Sequence, residues 1–427
     1  MQQVNIGLAG FGTVGSGLAR ILEENREWIQ RRTGKDLVIR RVLVRDTTKQ
    51  RDFLPGRETE FTTDLEQFLS ASDTDIVVEL IGGVDTAHTI ITRALKAGKH
   101  VVTANKALLA ERGPELFTLA DAVSRGLYYE AGVAGGIPIV QTLKESLAGN
   151  RIKHLIGILN GTANYILSEM TEKGIDFATA LSQAQANGYA EADPFLDIQG
   201  VDAAHKLTLL IRLAYGQDLP FSRLPVQGIS MVEPFDIELA RSFGYRIKLL
   251  ARVKERSGLL QAGVFPFLVS DDHILAKVEG PFNAVLLEGN AVGPIMLYGQ
   301  GAGDLPTGSA VLSDIMSLVS GRPANNTGFS EPALPKARTL EHELDVTRHY
   351  FRFSVVDRPG VLAAIAGVLG ERNISIAQVV QRQAPNQKGV PVVFLTHSAQ
   401  ERDVTAALKE LNTFSFVINP AVHFKIL

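Results

Sequence analysis

Residues 188–206, GYAEADPFLDIQGVDAAHK, set four carboxylates, Glu191, Asp193, Asp197 and Asp202, ahead of one lysine, Lys206. Carboxylates beside a single ammonium can hold a divalent metal, bind an organic cation, orient a proton carrier, or simply face water. The stretch VDAAHKLTLLIRLAYG has helical period, so Asp202 and Lys206 stand one turn apart on one face. Asp193 and Asp197 share that spacing, but Pro194 interrupts helical continuity between them and His205 points off the Asp202 face. With no H-x-x-x-H or EF-hand pattern, a divalent metal is disfavoured. Two readings stay open: a solvated helix pair at 202 and 206, and carboxylates that bind an ammonium group and orient a proton-transferring lysine.

Three other motifs carry chemistry. VNIGLAGFGTVGSG places Gly10, Gly12 and Gly15, with Thr13 and Val14 between them, after an apolar strand and at the start of a helix. That context turns a weak G-x-G-x-x-G into a dinucleotide site, where glycines admit the pyrophosphate and the helix start offers N–H groups. At the end of the next strand Arg45 stands where it would neutralise a 2′-phosphate, which favours NADP(H), while Asp46 keeps NAD(H) open. In GKHVVTANKALLA a strand, His100 to Ala104, is followed by Asn105, Lys106 and another helix, so Lys106 falls at the carboxyl edge of a parallel sheet, where such folds bind ligands, with Thr103 beside the cofactor. KHLIGILNGTANYILSEM reads as a strand running into a helix with Asn160, Gly161 and Thr162 at the junction. Its N–H groups suit a substrate carboxylate, and an ordinary Asn-Gly turn with a threonine cap is the plain alternative.

The elements that must position these residues fall into a sequence of blocks. Residues 1–135 alternate apolar strands with helical stretches, the pattern of a doubly wound parallel sheet, with a returning helix expected at about 305–320. Residues 136–304 put helices before hairpins and read as an α+β substrate-binding and catalytic domain. A Gly-, Pro- and Asn-rich linker covers 321–347, and 348–427 form a third unit. A chain of 427 residues supports such a multi-domain division. The formal charge of -3 offers no general attraction for nucleic acid or anionic membrane. No apolar run reaches membrane-spanning length and MQQVNIGLAG reads as a strand, so a cytoplasmic location is expected. The absence of cysteine removes thiolate metal sites, disulfides and aldehyde oxidation through a thiohemiacetal.

Taken together, GFGTVG, TANKALLA, YEAGVAGGIPIV, LNGTANYIL, the acidic run and GQGAGDLPTGSAVLSDI resemble the homoserine dehydrogenases in order and spacing over nearly all of residues 5–320. The resemblance implies reversible hydride transfer between NAD(P)H and the aldehyde carbon of L-aspartate 4-semialdehyde, giving L-homoserine for threonine, methionine and isoleucine biosynthesis. It further implies Lys206 as proton donor and acceptor, Lys106 as a second lysine near nicotinamide and substrate, and Asp197 as the carboxylate beside them. Glu191 and Asp202 match residues that hold the substrate ammonium, and Gly188 and Gly303 match positions near the cofactor. Backbone oxygens of Glu130, Val133, Gly135 and Ile137 match a monovalent cation site, usually sodium. A homodimer or homotetramer is the expected assembly, in the monofunctional form without a kinase region.

Residues 348–427 read strand, Asp-Arg-Pro-Gly turn, helix, strand, strand, helix, strand, and resemble an ACT domain with βαββαβ order. Such modules bind an amino acid near the first strand-helix turn, here Asp357, Pro359 and Gly360, with threonine the expected effector; a module that only dimerises is the plain alternative. Two other functions remain in view, another NAD(P)-dependent amino-acid dehydrogenase and a non-catalytic nucleotide and amino-acid sensor.

Overall fold

The structure, a computed structural model, describes residues 2–51, 53–56, 58–321, 326–331, 333–381 and 389–427. The linker expected over 321–347 lies partly outside these residues. The chain divides into two compact units, one of Met1–Leu155, Ala204–Leu224 and Asn283–Ala337, the other of Ile156–Ala203, Pro225–Phe282 and Arg338–Leu427.

The first unit is built on β1 (Gln2–Ala9), α1 (Thr13–Glu24), α2 (Arg26–Thr33), β2 (Lys35–Leu43), β3 (Glu60–Thr62), α3 (Leu65–Ser70), β4 (Ile76–Glu79), α4 (Asp85–Lys96), β5 (His100–Thr103), α5 (Lys106–Ala122) and β6 (Leu127–Tyr128). Its six strands are parallel in the order β3-β2-β1-β4-β5-β6. Apolar runs such as Ile76–Val78 and Val101–Val102 are fully buried, as a sheet covered on both faces requires. The order reverses between β1 and β4, the switch point at which open α/β sheets take ligands.

The returning helix is observed at Asp304–Val319, and its Val311 and Ile315 join Leu8, Leu18 and Val102 in the core. Glycines let it lie against α1: a Cβ on Gly308 would stand 2.8 Å from the Leu18 amide nitrogen, and one on Gly17 would meet the Asp304 backbone. The expected strand after α5 is only Leu127–Tyr128, and the helix expected from Ile139 is one α-turn, Ile139–Gln141, widening to a π-turn, Thr142–Ser146.

In the second unit, strands Tyr245–Arg256 and Leu259–Ser270 form a hairpin closed by Ser257 and Gly258, both left-handed at φ 52° and 78°. Two left-handed residues make the tight turn whose twist matches the strands. Residues 346–426 take the βαββαβ order: Val346–Val355, Val361–Glu371, Ile376–Gln381, Val390–Thr396, Glu401–Leu411 and Val417–Ile426, with a short strand Ala399–Gln400 before the second helix. Their strands pair antiparallel, Val417–Ile426 beside Val346–Val355 beside Val390–Thr396 beside Ile376–Gln381. Both helices contribute to one core around Phe351, Phe353, Ile365, Phe394 and Val404. The last strand also pairs in parallel with Leu259–Ser270 through Lys425 and Ile426, so the module and the hairpin share a sheet.

Candidate active site

In the first unit the glycine loop joins β1 to α1. Gly10 has φ 98°, and a Cβ there would stand 2.7 Å from the Leu80 carbonyl, so glycine is obligatory. Gly15 packs against the Gly10 carbonyl, whereas a Cβ on Gly12 would meet nothing within 4 Å. Gly12 precedes α1 without any side-chain cap. The start of α1, with Thr13 exposed and Val14 half-buried, thus offers uncapped N–H groups over an open glycine, which fits a pyrophosphate.

At the end of β2, Arg45 and Asp46 are both exposed. The Asp46 carboxylate accepts from the Thr48 amide and hydroxyl at 2.8 and 2.7 Å, bonds that hold its pKa below the usual carboxylate range. Asp46 therefore closes its own turn, while Arg45 stays on the surface.

The carboxyl ends of β4 and β5 are joined by a buried hydrogen-bonded chain. The Thr103 hydroxyl donates to Glu79 at 2.6 Å and accepts from the Asn105 amide at 3.0 Å. The other Glu79 oxygen accepts from the Ile81 amide at 2.9 Å. Asn105 caps α5 by accepting from the Leu108 amide and donates to the Gly83 carbonyl at 2.6 Å. Lys106, half-buried, is the first residue of that helix. Glu79 was missed in the sequence; its signal is a lone charge ending the apolar strand IVVE. Burial raises its pKa, against the hydrogen bond from Thr103.

Lys206 lies on the helix Val201–Tyr215 and is buried at 8% exposure, which excludes an ordinary solvated helix pair with Asp202, itself 8% exposed. His205 packs its ring 4.4 Å from that of Phe221, off the Asp202 face as expected.

The segment 130–137 is a buried turn. Glu130, Val133, Gly135 and Ile137 are all buried, with Ala134 and Gly135 left-handed at φ 55°. The Glu130 carboxylate does not face the turn's own oxygens. It accepts from the Val140 and Gln141 amides at 2.8 and 2.7 Å, while the Glu130 amide donates to Asp314. Burial pushes the Glu130 pKa up to about 7 and raises that of Asp314 well above the carboxylate range. Of the turn's peptide oxygens, that of Glu130 accepts from the Val133 amide at 3.2 Å and that of Ile137 from the Ile139 amide at 2.8 Å.

In the second unit Asn160 is the cap of the helix Gly161–Lys173, accepting from the Ala163 amide at 2.7 Å. Its Nδ2 donates to Asp197 at 2.7 Å and to Asp202 at 2.9 Å. One buried amide thus gathers two carboxylates that lie 37 and 42 residues further along the chain. Thr162 is buried and donates to the Tyr189 carbonyl. Asp193 accepts from the Phe195 amide, opening the short helix Phe195–Ile198 that carries Asp197. Glu191 is exposed on the adjoining loop, after Gly188 at φ 74°. At the far end, Asp357, Pro359 and Gly360 are exposed at the first turn of the βαββαβ module, where Gly360 at φ 89° starts the helix Val361–Glu371. Among the described residues no group of three His, Cys, Asp or Glu has metal-holding geometry, and no helix is long and apolar enough to cross a membrane.

A six-stranded switch-point sheet with a glycine loop, a buried lysine on a helix headed by carboxylates, and a βαββαβ module together define an NAD(P)-dependent oxidoreductase with a small-molecule regulatory domain. Family models agree: residues 10–130 match the homoserine dehydrogenase NAD-binding domain, 138–316 match homoserine dehydrogenase, and 349–415 match the ACT domain. The homoserine dehydrogenase of Neisseria gonorrhoeae is 42% identical over 426 residues, covering 98% of each chain, and that of Pseudomonas aeruginosa 40% over 433 residues, covering 100% of this chain and 99% of its own. The crystal structure of a homoserine dehydrogenase from Thiobacillus denitrificans superposes with a TM-score of 0.92 at 40% identity, covering 100% of this chain and 98% of that one. A hyperthermophilic archaeal homoserine dehydrogenase mutant in complex with NADPH gives 0.64 at 29% identity, covering 76% and 99%. The chain belongs to the homoserine dehydrogenase family. Its activity is that of an NAD(P)-dependent oxidoreductase acting on a CH-OH group.

Proposed function

We propose that the chain reduces L-aspartate 4-semialdehyde to L-homoserine, reversibly, with Lys206 as the proton donor and acceptor at the substrate oxygen. The observation that carries this reading is the Asn160 amide, which orients Asp197 and Asp202 at the head of the helix bearing Lys206. Bound NADPH supplies the hydride. As charge develops on the carbonyl oxygen, an ammonium donor stabilises it and then protonates the alkoxide. Lys106, at the start of α5, serves as the second lysine near nicotinamide and substrate.

Asp202 and Glu191 bind the substrate ammonium, and Asp197 is the carboxylate beside the lysines. Gly161 and Thr162 start the helix whose N–H groups receive the substrate carboxylate. Gly10, Gly12, Thr13, Val14 and Gly15 hold the pyrophosphate, with Thr103, Lys106, Gly188 and Gly303 close to the cofactor. The preference is for NADP(H), because Arg45 is exposed while Asp46 is engaged in its own turn. The NADPH named with the archaeal relative is in keeping with that choice.

Backbone oxygens of Glu130, Val133, Gly135 and Ile137 hold a monovalent cation, sodium. The ACT domain binds threonine at Asp357, Pro359 and Gly360, and the enzyme works as a homodimer or homotetramer in the cytoplasm. The test is Asn160→Leu. It is expected to raise the KM for homoserine and lower kcat, together at least tenfold in kcat/KM, with NADPH affinity within twofold of normal; unchanged kcat/KM would remove the carboxylate pair from the site.

A further inference from the structure

We infer that Arg212 is a positioning residue for the two lysines: it locks the helix that begins with Lys106 onto the helix that carries Lys206. This rests on the reading of those lysines as the reacting pair. Arg212 is 2% exposed and sits six residues after Lys206 on Val201–Tyr215. Its three nitrogens are all committed. Nη2 donates to the Ala110 carbonyl at 3.0 Å, Nη1 donates to the Leu109 carbonyl, and Nε donates to Asp218 at 2.7 Å.

The two carbonyls belong to the first turns of α5, three and four residues after Lys106. One of them needs this partner for a covalent reason. Pro114 lies inside α5 and has no N–H, so the carbonyl four residues before it, Ala110, has lost its helical donor. Ala110 is 2% exposed and Leu109 fully buried, which leaves water little access to either.

Gly113 makes the approach possible: a Cβ built there would stand 2.9 Å from Arg212 Nη1 and 3.1 Å from the Phe117 ring. Glycine and proline are the two poorest residues for a helix interior, yet they stand side by side where the guanidinium enters. A helix with alanine at both positions would need no arginine. The Gly113, Pro114 and Arg212 combination therefore trades helix regularity for a planar, forked link between the two lysine-bearing helices, a geometry that a lysine could not supply at position 212.

The gentlest test is Gly113→Ala. The new methyl falls against the flexible tip of Arg212, so the guanidinium is displaced while α5 gains a better helix former. Expected are a melting temperature equal to or above that of the parent, NADPH affinity within twofold, and kcat lowered on the order of tenfold to a hundredfold by misplacement of the lysines. The same substitution in a Lys206→Met background should lower kcat no further. Arg212→Met combined with Pro114→Ala, which restores the missing N–H, should fold while kcat stays low.

Normal kcat in Gly113→Ala beside an impaired Lys206→Met overturns this inference alone. Parallel loss of melting temperature, cofactor binding and kcat in Gly113→Ala makes the contact structural and also overturns it. Near-normal turnover in Lys206→Met removes the reading of the lysines and this inference with it.

Discussion

Two groups of carboxylates in the second compact unit are gathered by different donors. Asp345 and Glu401 both close on Lys425, whose ammonium lies 2.9 and 2.6 Å from them and over the Phe265 ring. Asp197 and Asp202 are instead gathered by the amide of Asn160. An ammonium orients carboxylates and cancels their charge, whereas an amide only orients them. The first arrangement suits a seam, where the last strand of the βαββαβ module meets the hairpin strand Leu259–Ser270. In the second, one amide fixes the two carboxylates relative to each other. A second closed pair points the same way: Arg352 and Tyr350 of the module both donate to the fully buried Asp236.

The comparison breaks most visibly at Lys425. Lys425→Met leaves the buried Glu401 without its cation and Asp345 with Arg252 alone, at 3.5 Å, and should destabilise the protein by about 3 kcal/mol, read as a shift of the denaturant midpoint. A loss below about 1 kcal/mol would place the seam among pairs that contribute little.

Acid should open the same seam. His349 is buried and His423 half-buried, with their Nδ1 and Nε2 atoms 2.9 Å apart, and desolvation holds the His349 pKa down at about 4 and that of His423 well below its ordinary value. His349 Nε2 lies 3.3 Å from the Thr347 hydroxyl and 3.4 Å from the Ala399 carbonyl. The unfolded chain takes up protons near pH 6.5 and the folded chain only near pH 4. The stabilisation is therefore full above pH 6.5 and is lost as pH falls towards 4, by up to about 3 kcal/mol for His349. Melting curves of the parent and of His349→Gln across that window should converge at low pH; parallel curves would contradict the assignment.

At the cofactor end the effect is smaller and selective. Arg45→Ala should weaken NADPH by about 2 kcal/mol, one charge-assisted phosphate contact, and leave NADH nearly unchanged. Equal loss of both cofactors would dissociate Arg45 from the 2′-phosphate.

Much of this was legible in the chain because the decisive signals are local. The glycine loop, the strand before Lys106 and the four-residue step from Asp202 to Lys206 each depend on neighbours within a turn or two. What was hidden depends on distant partners. The junction at Asn160 read equally as an anion site or an Asn-Gly turn capped by threonine; the capping side chain is Asn160 itself, and its Nδ2 adds the fork to Asp197 and Asp202, which no spacing rule links across 37 and 42 residues. Glu79 showed only as a charge ending an apolar strand, and its hydroxyl partner lies on the neighbouring strand at Thr103. The final strand, Val417–Ile426, joins one formed some 150 residues earlier by parallel pairing that leaves no local pattern.

Lys206→Met separates proton transfer from cofactor binding, because it keeps much of the stem and removes the proton. With the substitution in place, turnover of aspartate semialdehyde should fall on the order of 10² to 10⁴, while NADPH titration, governed by the separate glycine loop, gives an affinity within twofold of the parent. Near-normal turnover would contradict the account and leave Lys106 as the acid; joint loss of NADPH binding and folding would make Lys206 part of the scaffold instead.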